Sequence, residues 1–203
     1  MKLRFDITQN TPEWTEIKLG KFSASSAADL LMDKSTKGYQ GLISRIVEER
    51  ITGKPTESKW EGNQFTERGH LLEPDARFDY ELRSGVKVDI IGVIEIDEWV
   101  LCSPDGLIGE NGLYQAKCPI FNTQREYLKT KQVPGNYLKQ MQFELWVSGR
   151  EYNVFNSYHP SLLAVDVIVE RDEKMIAEIE KRIAEAKDEV IREINFLTQL
   201  NLF

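Results

Sequence analysis

The apolar residues of this chain change their period at one place. Before Gly85 they recur at helical spacing, with Leu42, Ile43, Ile46, Val47 and Ile51 marking one helix over 39–52 and a longer pattern running over 65–83. Over 86–101 they come instead in β-rich runs, broken by Asp97-Glu98. A turn around Asn111-Gly112 leads into a strand over 113–118, which predicts a hairpin. Helical patterns return over 123–131 and 136–147, strands over 152–158 and 164–169, and one amphipathic helix over 172–196. This order predicts an α/β (α+β) domain with a central mixed β-sheet flanked by helices.

Near the N-terminus, residues 12–33 read as a short helix, a turn at Gly20 and a second helix that Ser23 or Ser25 caps. Gly53-Lys54-Pro55 ends the 39–52 helix, and 56–64 reads as an exposed polar loop. Pro74 interrupts the backbone bonding of the 65–83 helix. At 203 residues the chain carries one sizeable core. We read a single domain, with an N-terminal helical part (1–60), a core (61–170) and a C-terminal helix (171–203). No apolar run reaches the roughly 18 residues that cross a bilayer. With no secretory h-region at the N-terminus, the expectation is a cytoplasmic protein with two reduced, buried thiols, Cys102 and Cys118.

Chemistry concentrates in Ser103-Pro104-Asp105-Gly106, followed by Gln115-Ala116-Lys117. Phosphodiester hydrolysis needs an activated water and charge relief on the leaving oxygen, which divalent ions supply. Hard oxygen donors hold Mg²⁺. Asp105 is the candidate ligand, position 115 the second, and the Ala116 carbonyl a third. Lys117, two residues on from 115, shares its strand face and is placed to orient or deprotonate water. Alone, this spacing is weakly specific and also describes a turn aspartate with a solvated lysine. The net charge of −7 counts mildly against nucleic acid, although a carboxylate site is itself acidic.

Further blocks add specificity. Gly69, Glu73, Pro74, Ala76 and Arg77 form G-x-x-x-E-P-x-A-R ahead of SPDG and x-x-K-C-P. With the Trp14…Gly20…Ser25 segment, Gln140-Met141-Gln142…Trp146-Val147 and Val169–Lys174, this series resembles the viral recombinase exonucleases. That family comprises the lambda exonuclease-like and YqaJ-like proteins, with a restriction-endonuclease-like PD-(D/E)xK core. The resemblance covers about residues 12–174. It implies a phage or prophage enzyme in a bacterial or phage-infected cell. The implied activity is 5′→3′ exonuclease action on linear double-stranded DNA, releasing mononucleotides and leaving 3′ overhangs. It implies Mg²⁺ (or Mn²⁺) as cofactor, a ring-shaped homotrimer, a single-strand annealing partner and no membrane. By position, Asp105, Gln115, Lys117 and Glu73 take the catalytic roles. Lys18, Ser25, Ser103 and Gln140 take those that hold a DNA 5′-phosphate, with Lys18 standing where the relatives have arginine.

Gln115 departs from the pattern, because it occupies the place of a metal-binding glutamate. It keeps the shape and loses the charge, so weakened metal binding and reduced turnover are expected. A deliberate near-isosteric disabling change explains it; natural glutamine at this place is the other explanation. Rival functions are a repair or restriction-type endonuclease on the same core, a DNA-end-binding protein without catalysis, and a sugar hydrolase using Glu73 and Asp105. His70 and His159 read as lone histidines, with a minor supporting role open to His70 beside Glu73. Trp14, Trp60, Trp99 and Trp146 read as core or interface, with DNA contact a second, lesser reading for Trp60 in its polar loop beside Lys59.

Overall fold

A computed structural model describes residues 1–56 and 64–200, with side chains omitted over 64–67. Trp60 and most of the expected 56–64 loop lie outside the described residues.

The chain starts with β1 (Lys2–Arg4) and α1 (Pro12–Lys18), whose first turn Thr11 caps by accepting from the Trp14 N–H. β2 (Phe22–Ser23) runs into a 3₁₀ turn (Ala24–Ser26) and the one-turn helix α2 (Ala27–Leu30). Neither Ser23 nor Ser25 caps a helix here, contrary to the sequence expectation. Their hydroxyls instead lie 3.1 Å from each other, at the rim of a cavity. α3 (Lys37–Thr52) is capped by Thr36 and closes at Gly53 with φ 64°, the left-handed conformation that glycine takes without steric cost. α4 (Gln64–Ser84) follows and carries Pro74 in its interior.

The β-rich region resolves into β3 (Val93–Glu95), β4 (Val100–Cys102), β5 (Gly106–Ile108) and β6 (Gly112–Lys117). The run over 86–91 forms no strand of its own and touches the sheet by one bridge, Asp89 to Leu107. Val86 and Ile90 are exposed while Val88 and Ile91 are buried in the core, so the run packs against the core without pairing as a strand. Helices α5 (Phe121–Thr130) and α6 (Gly135–Ser148), strands β7 (Tyr152–His159) and β8 (Leu162–Glu170), and the long helix α7 (Glu173–Leu200) complete the chain.

The strands form two four-stranded sheets, ordered β1-β3-β4-β2 and β5-β6-β7-β8, each mixing parallel and antiparallel pairs. β4 ends in one sheet at Cys102 and β5 begins in the other at Gly106, so Ser103-Pro104-Asp105 is the crossover between them. The main core joins Phe22, Tyr39 and Ile46 from the N-terminal half to Phe143 and to Ile179, Ala186 and Val190 of α7. The apolar stripe of α7 is therefore spent inside the chain.

β6 is sandwiched. Tyr114 and Ala116 point toward α4, where they pack with Ala76 and Tyr80. Leu113 points the other way, into the core that holds Phe143 of α6. Alternation along the strand puts Gln115 and Lys117 on that second face. Two helices thus deliver side chains to one strand end from opposite sides.

Candidate active site

Asp105 sits at the crossover and aims at the end of β6. Its Oδ2 accepts from the Ala116 backbone N–H at 2.7 Å and from the Gln115 side-chain Nε2 at 2.6 Å. Gln115 is 2% exposed, and its Oε1 accepts from Gln140 Nε2 at 3.2 Å. The same Gln140 nitrogen donates to Glu144 Oε1 at 2.8 Å, and Glu144 Oε2 accepts from Asn153 at 2.8 Å. A continuous hydrogen-bonded chain therefore runs from Asp105 through Gln115 and Gln140 to a fully buried carboxylate on α6.

A cavity of about 200 Å³ gathers the predicted groups, with Asp105, Gln115, Lys117 and Glu73 at one end. Lys18, Ser25, Ser103 and Gln140 line the rest of it. Ala116 lies outside that lining and faces two neighbouring cavities, of about 390 and 510 Å³. α1 supplies Lys18, the 3₁₀ turn supplies Ser25, the crossover supplies Ser103 and α6 supplies Gln140. Segments from residue 18 to residue 140 thus meet at one spot.

The site's electrostatics follow from its enclosure. Burial pushes the Asp105 carboxyl up to about 7; the Lys117 ammonium opposes that rise and Glu73 adds to it. Burial likewise raises Glu144 to about 7, against the hydrogen bond from Gln140. Lys18 is lowered to about 8, first by burial and then by Arg45, with Glu49 working the other way. Its ammonium lies 3.6 Å from the Trp14 ring centroid, and the Trp14 indole N–H donates to Ser103 Oγ at 3.0 Å. Trp14 is thus a wall of the site rather than a core residue, which corrects the sequence reading. Lys117 stands 5.0 Å over the Tyr137 ring. His70 Nδ1 lies 3.2 Å from Glu73 Oε1, which fits a supporting role.

Among the described residues no three His, Cys, Asp or Glu side chains group as a metal-binding cluster. The donors present are nonetheless oxygens of the kind Mg²⁺ takes: the Asp105 carboxylate, the Ala116 carbonyl and the Gln115 amide oxygen. They fit a divalent ion in type and fall one negative charge short. The Gln115 amide must also turn its oxygen, now bonded to Gln140, away from that partner to serve.

Sequence reasoning missed Glu144 and Gln9. Glu144 lies one helical turn after Gln140, a spacing that puts both on one face of α6. Gln9 pins the crossover by donating to the Pro104 and Ile91 carbonyls, both at 2.9 Å; nothing in its sequence context signals this. Cys102 is buried, Cys118 partly so, and both are free thiols.

A crossover acid, a lysine on β6, a helix-borne glutamate and a neighbouring hydroxyl-and-amide cavity lie together here, the arrangement that the resemblance to the lambda exonuclease-like class implies. The chain belongs to the YqaJ-like viral recombinase domain family, whose sequence profile matches residues 13–151. Its fold is similar to that of an alkaline exonuclease (LHK-Exo) from Laribacter hongkongensis, at 33% identity and TM-score 0.87, covering 95% of this chain and 98% of that one. The same protein in complex with dAMP matches equally well. A phage-related exonuclease from Haemophilus somnus 129PT shares the fold at 16% identity and TM-score 0.67, covering 87% of this chain and 96% of that one. No curated protein sequence matches the chain significantly.

Proposed function

We propose that the chain is a deoxyribonuclease that degrades one strand of linear duplex DNA 5′→3′, releasing mononucleotides and leaving 3′ overhangs for single-strand-annealing recombination. One observation carries this reading: Asp105, position 115 and Lys117 meet at the end of β6, and the same cavity continues into Lys18, Ser25, Ser103 and Gln140. The first group suits a phosphodiester. The second offers two hydroxyls, an amide and a cation to a terminal phosphate monoester, which carries more charge than a diester. The likeness to an alkaline exonuclease supports the same class.

Asp105, with the Ala116 carbonyl and Gln115 Oε1, would hold Mg²⁺ or Mn²⁺. Mg²⁺, when bound, supplies charge relief at the leaving oxygen and an acidified water. Lys117 would orient the attacking water or take its proton. Glu73, tethered to His70, would accept a hydrogen bond from that water on the α4 side. Lys18 binds the terminal phosphate as a point charge, without the fork of arginine. In the free protein both Gln140 amide protons go to Gln115 and Glu144, so phosphate capture requires that amide to swing. A homotrimeric ring around the duplex accounts for a substrate that stays bound between cuts. It also lets an acidic protein present a basic lining only where DNA passes.

A second reading, capture of DNA ends without turnover, is favoured by the Gln115 amide bonded to Asp105. The test is digestion of 5′-phosphorylated linear duplex and of covalently closed plasmid, with Mg²⁺ and with EDTA, for the protein and its Asp105→Asn variant. The exonuclease reading expects slow, Mg²⁺-dependent loss of linear DNA only, abolished in the variant. Cutting of the closed plasmid means an endonuclease. Binding of linear ends with no loss of DNA means end capture.

A further inference from the structure

The cavity of about 390 Å³ shares Asp105, Glu73 and Ala116 with the site described so far, but Phe5, Arg77 and Ile90 of its lining have no part in that site. Asp105 and Glu73 line it and the 5′-phosphate cavity alike, so these carboxylates stand between the two. Its cation is Arg77, one helical turn after Glu73 on α4. Glu73 at this spacing is a natural ion-pair partner for an arginine, yet it bonds to His70 instead. Among the described residues Arg77 enters no ion pair and no side-chain hydrogen bond. By contrast Arg83, on the same helix, is held by Asp79 and Asp166. The guanidinium fork of Arg77 is thus left open beside two carboxylates in an acidic protein.

The opposite wall is fixed rather than loose. Segment 5–10 is fastened by the two Gln9 bonds to Ile91 and Pro104. It also packs so closely on Gly92 that a Cβ there would stand 2.2 Å from the Ile7 carbonyl oxygen. At the mouth, Phe5 and Ile90 are 60% and 61% exposed, although both are large and apolar. A half-buried arginine fork and exposed apolar side chains lining one cavity suit a nucleotide unit, its phosphate on the fork and its base or sugar against the apolar groups.

We infer that Arg77 binds an internal phosphodiester of the strand being cut, just 3′ of the scissile bond. This rests on the exonuclease reading above. A strand whose 5′-phosphate lies in the Lys18 cavity and whose scissile bond lies at Asp105 leaves through the Arg77 cavity. The fork then fixes the register of each cut from the downstream side, as Lys18 does from upstream.

Equilibrium binding of linear 5′-phosphorylated duplexes, with Ca²⁺ in place of Mg²⁺, tests this. Each of the first four linkages is replaced in turn by an uncharged methylphosphonate. The expectation is one position near the end where the neutral linkage weakens the native chain about tenfold and leaves Arg77→Gln unaffected. Arg77→Lys, which keeps the charge and loses the fork, should recover part of that sensitivity. The salt slope of Arg77→Gln should be shallower by about 0.9. The site is overturned if Arg77→Gln keeps every methylphosphonate penalty and the native slope. It is overturned too if Arg77→Gln weakens only deoxynucleoside monophosphate binding, since the fork then serves released product. A native chain that does not bind duplex, or that ignores the 5′-phosphate while Arg77 still shows its linkage, points to failure of the parent reading instead; the former sinks both.

Discussion

Placing a carboxylate at position 115 is the most informative perturbation. In Gln115→Glu the Nε2–H donated to Asp105 is lost and two acids face each other across a hydrogen-bond distance of 2.6 Å. Hydrogen bonds to charged groups contribute about 1.5–3 kcal/mol. Losing one, with the added repulsion, should cost the metal-free protein about 2 kcal/mol. For a domain of this size that lowers Tm by about 4–8 °C. A divalent ion reverses the sign. A carboxylate and a divalent ion 4 Å apart attract by about 8 kcal/mol at an effective dielectric of 20. If two thirds of that goes to desolvation, about 2.7 kcal/mol remains, or roughly 100-fold tighter metal binding. The assay is thermal unfolding in EDTA and in Mg²⁺, alongside digestion of linear duplex. The variant should melt lower than the native chain in EDTA, gain more from Mg²⁺, and digest DNA at least tenfold faster. Equal melting in EDTA together with unchanged digestion refutes the assignment of position 115.

Four further outcomes follow from named contacts. Preference for 5′-phosphorylated over 5′-hydroxyl ends should fall as pH rises through about 8, where Lys18 loses its proton, and should be absent at all pH in Lys18→Ala; competition binding from pH 6.5 to 9.5 checks this. Because burial lowers the Lys18 pKa, ionised Lys18 destabilises the folded protein below pH about 8, so Lys18→Met should gain most in Tm at pH 6.5 and least at pH 10. Ile179→Ala, in the fully buried stripe of α7, should cost about 2–5 kcal/mol in denaturant unfolding, whereas Ile191→Ala, 37% exposed, should cost under about 1. Gly92→Ala should lose about 1–3 kcal/mol, because its methyl meets the Ile7 backbone rather than a movable side chain.

The helices were legible because their apolar residues repeat at helical spacing and their ends carry recognisable signals. Gly53 closes α3 where the sequence placed its end, and of the α7 stripe read from the sequence Ile176, Ile179, Ile183, Ala186 and Val190 are buried, with Ile194 partly so. The β5–β6 hairpin was legible from Asn111-Gly112. The split into two sheets was not, because it depends on the Ser103-Pro104-Asp105 crossover, whose direction no local pattern encodes. The run over 86–91 misled for a related reason: β-branched residues describe a surface that suits a strand, not whether a partner strand arrives. Within the site, the charged groups were legible from the ordered motifs. The polar chain Asp105–Gln115–Gln140–Glu144 was not, since it arises from packing α6 against β6, and helix spacing alone does not say which side chain meets which.

The central claim is that a divalent ion belongs between Asp105 and the end of β6. Anomalous diffraction from Mn²⁺-soaked crystals of the Gln115→Glu protein addresses it directly. The account predicts a peak within about 2.0–2.3 Å of an Asp105 carboxylate oxygen and the Ala116 carbonyl, with Lys117 alongside. Ordered crystals whose Asp105 stays bonded to the Ala116 N–H, with no peak in the cavity at saturating Mn²⁺, contradict it.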